Sequence, residues 1–169
     1  MLVFRMENVD SALARPQLEL LCAGGTSRPP ITTAHRRINM AIEKKLFRSG
    51  PYADLFSQGV QVGNTLYMAG QVAMDEAGGI PEDLVAQMKL AYQNVTAVLA
   101  EFGADMDNIV DETWFVTDVN DCMAQVEALF TERHMIYGKA PEVSQTLVQV
   151  GALVDPALKI EIKCVAVLG

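Results

Sequence analysis

The chain has 169 residues, half of them hydrophobic, which is enough for one domain with a sizeable core. Residues 1–40 carry five Arg against three acidic residues, net +2, whereas residues 41–169 carry eight basic against eighteen acidic residues, net −10. An acidic body of this kind argues against nucleic acid, whose phosphates are gripped by Lys and Arg, and no apolar run reaches the length of a membrane span.

The first forty residues hold short apolar patches broken by charge and then a Gly/Ser/Pro-rich stretch. Glu7, Asp10 and Glu19 fall where the apolar core of a signal peptide should be, and they also count against a mitochondrial presequence. Two readings of residues 1–40 stay open. They form a disordered N-terminal extension, or the coding start is set upstream and Met40 is the natural beginning. Residues 41–169 form the domain.

Two short strands are expected at 56–62 and 65–71, joined through Gly63-Asn64, because both residues tolerate positive φ in a two-residue hairpin. Residues 72–81 read as a loop, with Asp75, Gly78, Gly79 and Pro81. The spacing of Leu84, Met88, Ala91, Tyr92, Val95, Val98, Leu99 and Phe102 predicts an amphipathic helix over 81–103. Pro81 suits its first turn, Glu82 and Asp83 its positive end, and Gly103 its stop.

A strand follows at 111–118, then a helix at 119–138 capped by Asp118 or Asn120. Residues 143–150 form the next strand, with Val143, Gln145, Leu147 and Gln149 on one face. The last strand, 158–167, alternates Leu158, Ile160, Ile162 and Cys164 with Lys159, Glu161, Lys163 and Val165. The order is β-β-α-β-α-β-β, an α+β fold with both helices on one face of a single sheet. The other face is expected to carry Gln145, Leu147, Glu161 and Val165. It is too apolar for a solvated face and too polar for a core, which suits an oligomer interface, a ligand cleft, or both.

Little in the sequence signals chemistry. Cys22, Cys122 and Cys164 form no C-x-x-C pair and suggest reduced thiols in a cytoplasm. With only His35 and His134 besides, no metal constellation appears. No nucleophile–base pair, phosphate loop or dinucleotide fingerprint is present. Gly70, in AGQ, allows backbone to approach a ligand. Glu161 is the best catalytic candidate, either a fixed carboxylate that holds or polarises a water, or a solvated position paired with Lys159 or Lys163.

GPY, SQGVQVGNTLYMAGQVAMD, VAQMKLAYQNVTAVLAEFGADMDNIVDETWFVTDVND, VQVGAL and KIEIKCVAV, in that order, resemble the RidA/YjgF family of reactive intermediate deaminases from about residue 50 to the end. The resemblance implies a chorismate-mutase-like subunit, a homotrimer with ligand clefts between subunits, and cofactor-independent hydrolysis of enamines and imines such as 2-aminoacrylate. It places Glu161 on the glutamate assigned to the attacking water and Gly70 on the cleft glycine. Phe56 falls where many members have tyrosine, and Tyr52 is displaced by three extra residues. Gln145 falls on the arginine that grips the substrate carboxylate, with Leu147 two residues further along the pocket wall.

Residues 140–158 contain no Lys or Arg. Losing a charge-assisted bidentate contact costs about 3 kcal/mol, on the order of 100-fold in affinity. The expectation is therefore a divergent imine or enamine deaminase. It needs no cofactor or metal and takes a small ligand other than 2-aminoacrylate in an intersubunit cleft, where Gln145 selects it. The alternative is a trimer that binds a small molecule or a partner protein without turnover.

Overall fold

The computed structural model describes residues 41–169, and the expectations for residues 1–40 lie outside them. The apolar stripe expected at 81–103 folds as helix α1, Leu84–Ala100, burying Leu84, Met88, Ala91, Tyr92, Val95, Val98 and Leu99. The Asp83 carboxylate accepts from the Ala86 N–H at 2.8 Å, which makes Asp83 the N-cap and leaves Pro81 and Glu82 outside the helix. The helix thus starts three residues later than expected. Gly103, at φ 70°, stands in the turn after it.

The second helical stretch is broken. Asp118 caps α2, Val119–Ala124, and Gln125 (φ −108°, ψ 13°) interrupts the ladder before α3, Val126–Tyr137. Gly138, at φ 67°, ends α3 in the left-handed region.

The strands form one sheet. In chain order they are β1 (Lys45–Phe47), β2 (Gly59–Val62), β3 (Thr65–Met68), β4 (Gln71–Val72), β5 (Ile109–Val116), β6 (Ser144–Gln149) and β7 (Ile160–Val167). Their spatial order is β1-β2-β3-β7-β5-β6, with the short β4 also on β7. Gly63 (φ 58°) and Asn64 turn the chain between β2 and β3, as the sequence implies. β5 and β6 are parallel, because the helical stretch α2–α3 carries the chain back before β6 starts. The α+β class stands. Neither β1 nor the break between β3 and β4 is signalled in the sequence, whose pattern also runs α2 and α3 together.

β7 pairs with β3 and β4 on one side and β5 on the other. Its alternation is the expected one: Ile160, Ile162, Cys164 and Ala166 are at most 1 % exposed and meet α1, while Glu161, Lys163, Val165 and Val167 point away. Burying each Ile or Leu of this layer contributes about 1.5–3 kcal/mol.

The expectation for β6 needs correcting. Glu112, Trp114 and Val116 of β5 face the helices with Cys164, Ile162 and Ile160, and they register against Gln145, Leu147 and Gln149. Gln145 and Leu147 therefore lie on the helix side, with Leu147 packed against the core, and not beside Glu161. Each strand's alternation was legible, but the phase of β6 against β7 is set by the intervening β5.

Glu112 itself is fully buried and fully satisfied. Arg133 Nε of α3 donates to its Oε1 at 2.6 Å, and the Tyr92 and Tyr137 hydroxyls donate to Oε2 at 2.9 and 2.8 Å. Trp114 Nε1 donates in turn to the Tyr92 hydroxyl at 3.0 Å. Burial first, then the Glu112 charge, push both phenols well above the usual range, so they remain donors. The cluster ties α1, α3 and β5 together. Replacing Arg133 by Met leaves the carboxylate buried without its counter-charge. Urea unfolding of Arg133→Met is expected to show a loss of about 3–5 kcal/mol.

Candidate functional site

On the face away from the helices, the break between β3 and β4 creates a close approach. The Ala69 N–H donates to the Gln58 carbonyl at 2.9 Å, and Gln71 Nε2 bridges Gln58 Oε1 at 3.1 Å and the Ala69 carbonyl at 3.0 Å. These bonds hold Gly70 between the two strands. Asn94 of α1 donates to the Val72 and Met74 carbonyls at 2.8 and 3.0 Å, fixing the chain beyond. β4 then pairs with β7, with Val72 opposite Glu161.

The Glu161 side chain consequently lies directly on Gly70. A Cβ at position 70 would fall 2.5 Å from Glu161 Cδ and closer still to Oε1. Any larger residue here would have to displace the Glu161 carboxylate, so glycine is favoured by space, with no demand on φ. Val72 and Phe115 are the cross-strand neighbours of Glu161 on either side. Both are half-buried, and so is Glu161.

The carboxylate has neither a hydrogen-bond partner nor an ion pair among the described residues, although Lys159 and Lys163 sit two residues away on the same face. Burial raises its pKa above the ordinary carboxylate value, and the Lys163 charge opposes the shift. A half-buried carboxylate of raised basicity, with open acceptor capacity, can hold a water and take its proton. Among the described residues no lysine pairs with it.

The structure thus brings together two of the residues singled out from the sequence, Gly70 and Glu161. Tyr52 and Phe56 stack on each other, ring centroids 6.2 Å apart, on the exposed loop between β1 and β2 that leads into Gln58. Gln145 and Leu147 lie on the opposite sheet face of the same chain. The sequence reading missed Val72, Phe115, Gln58 and Gln71. Phe115 carried a usable signal, being out of phase with buried Trp114. The glutamines carried none, since their roles depend on a strand break.

Beyond Glu161 the same face continues to Lys159 and Thr117, whose backbone N–H donates to the Lys159 carbonyl at 3.1 Å. A concavity of about 430 Å³ opens there, lined in part by Ile80, Pro81, Thr117, Leu158 and Lys159. Among the described residues no three His, Cys, Asp or Glu side chains are grouped to hold a metal ion, and no helix is long and apolar enough to cross a membrane. Cys122 and Cys164 are buried thiols whose pKa values burial pushes up, which keeps them protonated and unreactive.

The family described as Endoribonuclease L-PSP matches residues 49–168. The 2-iminobutanoate/2-iminopropanoate deaminase of Escherichia coli (strain K12) is 34 % identical over 122 residues, spanning 70 % of this chain and 88 % of that protein. The Mus musculus protein of the same description is 33 % identical over 122 residues, spanning 71 % and 83 %. Among solved structures, the protein YjgH superposes with a TM-score of 0.64 at 32 % identity, covering 75 % of this chain and 98 % of that one. The E. coli protein TdcF with bound serine gives 0.61 at 27 %, covering 77 % and 99 %. The chain belongs to this family, the RidA/YjgF family.

Substituting Gly70 by Ala pushes the Glu161 carboxylate outward, towards water. Because the displaced group is the end of a flexible side chain, the expected loss of stability is under about 1 kcal/mol. A pH titration of the Glu161 carboxyl carbon by NMR should show its pKa falling towards the ordinary carboxylate value in Gly70→Ala.

Proposed function

We propose that the protein is a cofactor-independent deaminase that hydrolyses an imine or enamine of a small metabolite to a carbonyl compound and ammonia. The observation that carries this reading is the Glu161 carboxylate, half-buried on Gly70 with no partner of its own. The E. coli and mouse relatives are described as imine deaminases, and TdcF is described with bound serine, a small amino acid.

In the proposed reaction Glu161 takes a proton from water as the water oxygen adds to the C=N carbon. Glu161 passes that proton to the imine nitrogen. The hydroxyl of the tetrahedral adduct then gives up the second water proton to the nitrogen through Glu161, and the C–N bond breaks as the C=O bond forms, releasing ammonia. One water is consumed and no electrons are transferred. With no basic residue over 140–158, the substrate is one other than 2-aminoacrylate.

The face that carries Glu161 also presents Leu46, Val60, Tyr67, Val165 and Val167, an apolar surface suited to self-association. A homotrimer closes that surface. Gln145 and Leu147 lie on the other face, so they line a cleft with Glu161 only when a neighbouring chain supplies them.

Four measurements test the reading. Keto-acid release from imines generated in situ by an amino-acid oxidase should be accelerated by the wild type, and Glu161→Gln should lower kcat/KM by about 10²–10⁴-fold. A wild type without acceleration over the blank overturns the enzymatic reading and leaves the binding module. The raised pKa sets the pH profile. Since the base must be ionised, kcat/KM should fall on the acid side with a limb above the ordinary glutamate value, and Lys163→Met should move that limb higher.

The linked effect on stability has the opposite sign. A folded-state pKa above the unfolded one favours the protonated form, and that contribution is lost as pH rises through the folded value, so Glu161→Gln should be no less stable than the wild type at pH 7. Light scattering should give a mass three times the 18.4 kDa chain, and a monomer would sink the shared cleft.

A further inference from the structure

We infer that Lys159 is the anion anchor of this site, and that the concavity beside it takes the carboxylate and side chain of an imino acid longer than three carbons. The inference rests on the deaminase reading for its substrate class and on the structure for its geometry.

The positive charge has few possible sources among the described residues. Lys89, Arg133 and Lys139 are committed to ion pairs with Glu132, Glu112 and Asp107. Arg133 is in addition buried under the helices, on the wrong face of the sheet. Lys45 and Arg48 donate to the carbonyls of Glu101 and Ala53. Lys44 is exposed ahead of β1. Lys159 and Lys163 remain, one on each side of Glu161; Lys159 is half-buried and lines the concavity beyond Thr117, while Lys163 is exposed.

Lys159, one residue ahead of β7, and Glu161 are two residues apart in extended chain, so their Cα atoms are separated by about 6.6 Å. In the proposed pose an α-imino acid bridges them. With its carboxylate on the Lys159 ammonium, its C=N carbon is one bond closer to Glu161, where the carboxylate and its water can reach it. A lysine is a point charge without the fork of an arginine, so orientation needs a second contact. Thr117 supplies a hydroxyl in the same cavity, with no partner among the described residues.

The remaining walls are the apolar Ile80, Pro81, Pro156, Ala157 and Leu158 and the acidic Glu82, so Lys159 is the single cation of this open concavity of about 430 Å³. Those walls are held in place by Gln87, fully buried, which donates to the Pro81 and Ala157 carbonyls at 2.7 and 2.8 Å and accepts from the Lys159 N–H at 2.7 Å. Only the Lys159 backbone takes part in that lock, so its side chain can be changed without loosening the pocket.

The test is calorimetric titration of the full chain with 2-oxohexanoate, a stable keto acid of the product class. Lys159→Met is expected to weaken binding by about tenfold or more, and Lys159→Arg to stay within about threefold of the wild type. The neutral amide of the same acid should bind Lys159→Met and wild type alike. No binding to the wild type, equal affinity in Lys159→Met, or an affinity lost in Lys163→Met instead overturns the assignment. Turnover is read separately: a wild type that binds the acid through Lys159 but does not hydrolyse the imine removes the deaminase reading and leaves the anion site standing.

Discussion

The two-residue period of β7 governs both the stability and the site of this protein. The strand lies inside the sheet, hydrogen-bonded on both edges, so it cannot slip without breaking several ladders at once. One row, from Ile160 to Ala166, is the floor of the core under α1. The other, Lys159, Glu161 and Lys163, is a line of charges on the opposite face. A slip of one residue would bury those charges and expose the isoleucines. The hydrophobic term that holds the strand in register is therefore also what fixes the position of Glu161.

Two glutamates on neighbouring strands illustrate how burial separates structure from chemistry. Glu112 is wholly buried, and an arginine and two tyrosines satisfy it, so it acts as a joint between helices and sheet. Glu161 is half-buried and has no partner among the described residues, so its burial is expressed as raised basicity. Gly70 makes the second case possible by letting a carboxylate rest against backbone, and the Gln58–Gln71 pair holds that backbone still. Ordinary hydrogen bonds thus hold both flanks of the candidate site.

The sheet divides the labour of the chain along the same lines. The helices commit one face entirely to packing, and they take Gln145 and Leu147 with them as the edge of that layer. The opposite face keeps Glu161, Lys159 and Thr117 together with a row of apolar side chains that a single subunit leaves uncovered. In the proposed trimer the cleft takes Glu161 from one copy and Gln145 from another.

Sequence by itself determined the class of fold, the α1 stripe, the Gly63-Asn64 hairpin, the alternation of β7 and the family. Each of these is a local pattern, because apolar periodicity and turn chemistry act between residues close in the chain. Glu161 and Gly70 were legible as candidates for the same reason. Tertiary structure alone decided what they do together. Gly70 meets Glu161 across ninety residues of chain, through a strand break that no local signal marks, and Gln145 and Glu161 are parted by a register that β5 imposes from between them. Arg133, Glu112 and the two tyrosines read separately as unremarkable helix and strand positions. Only packing reveals them as one cluster, since a buried charge is defined by what surrounds it and not by its neighbours in sequence.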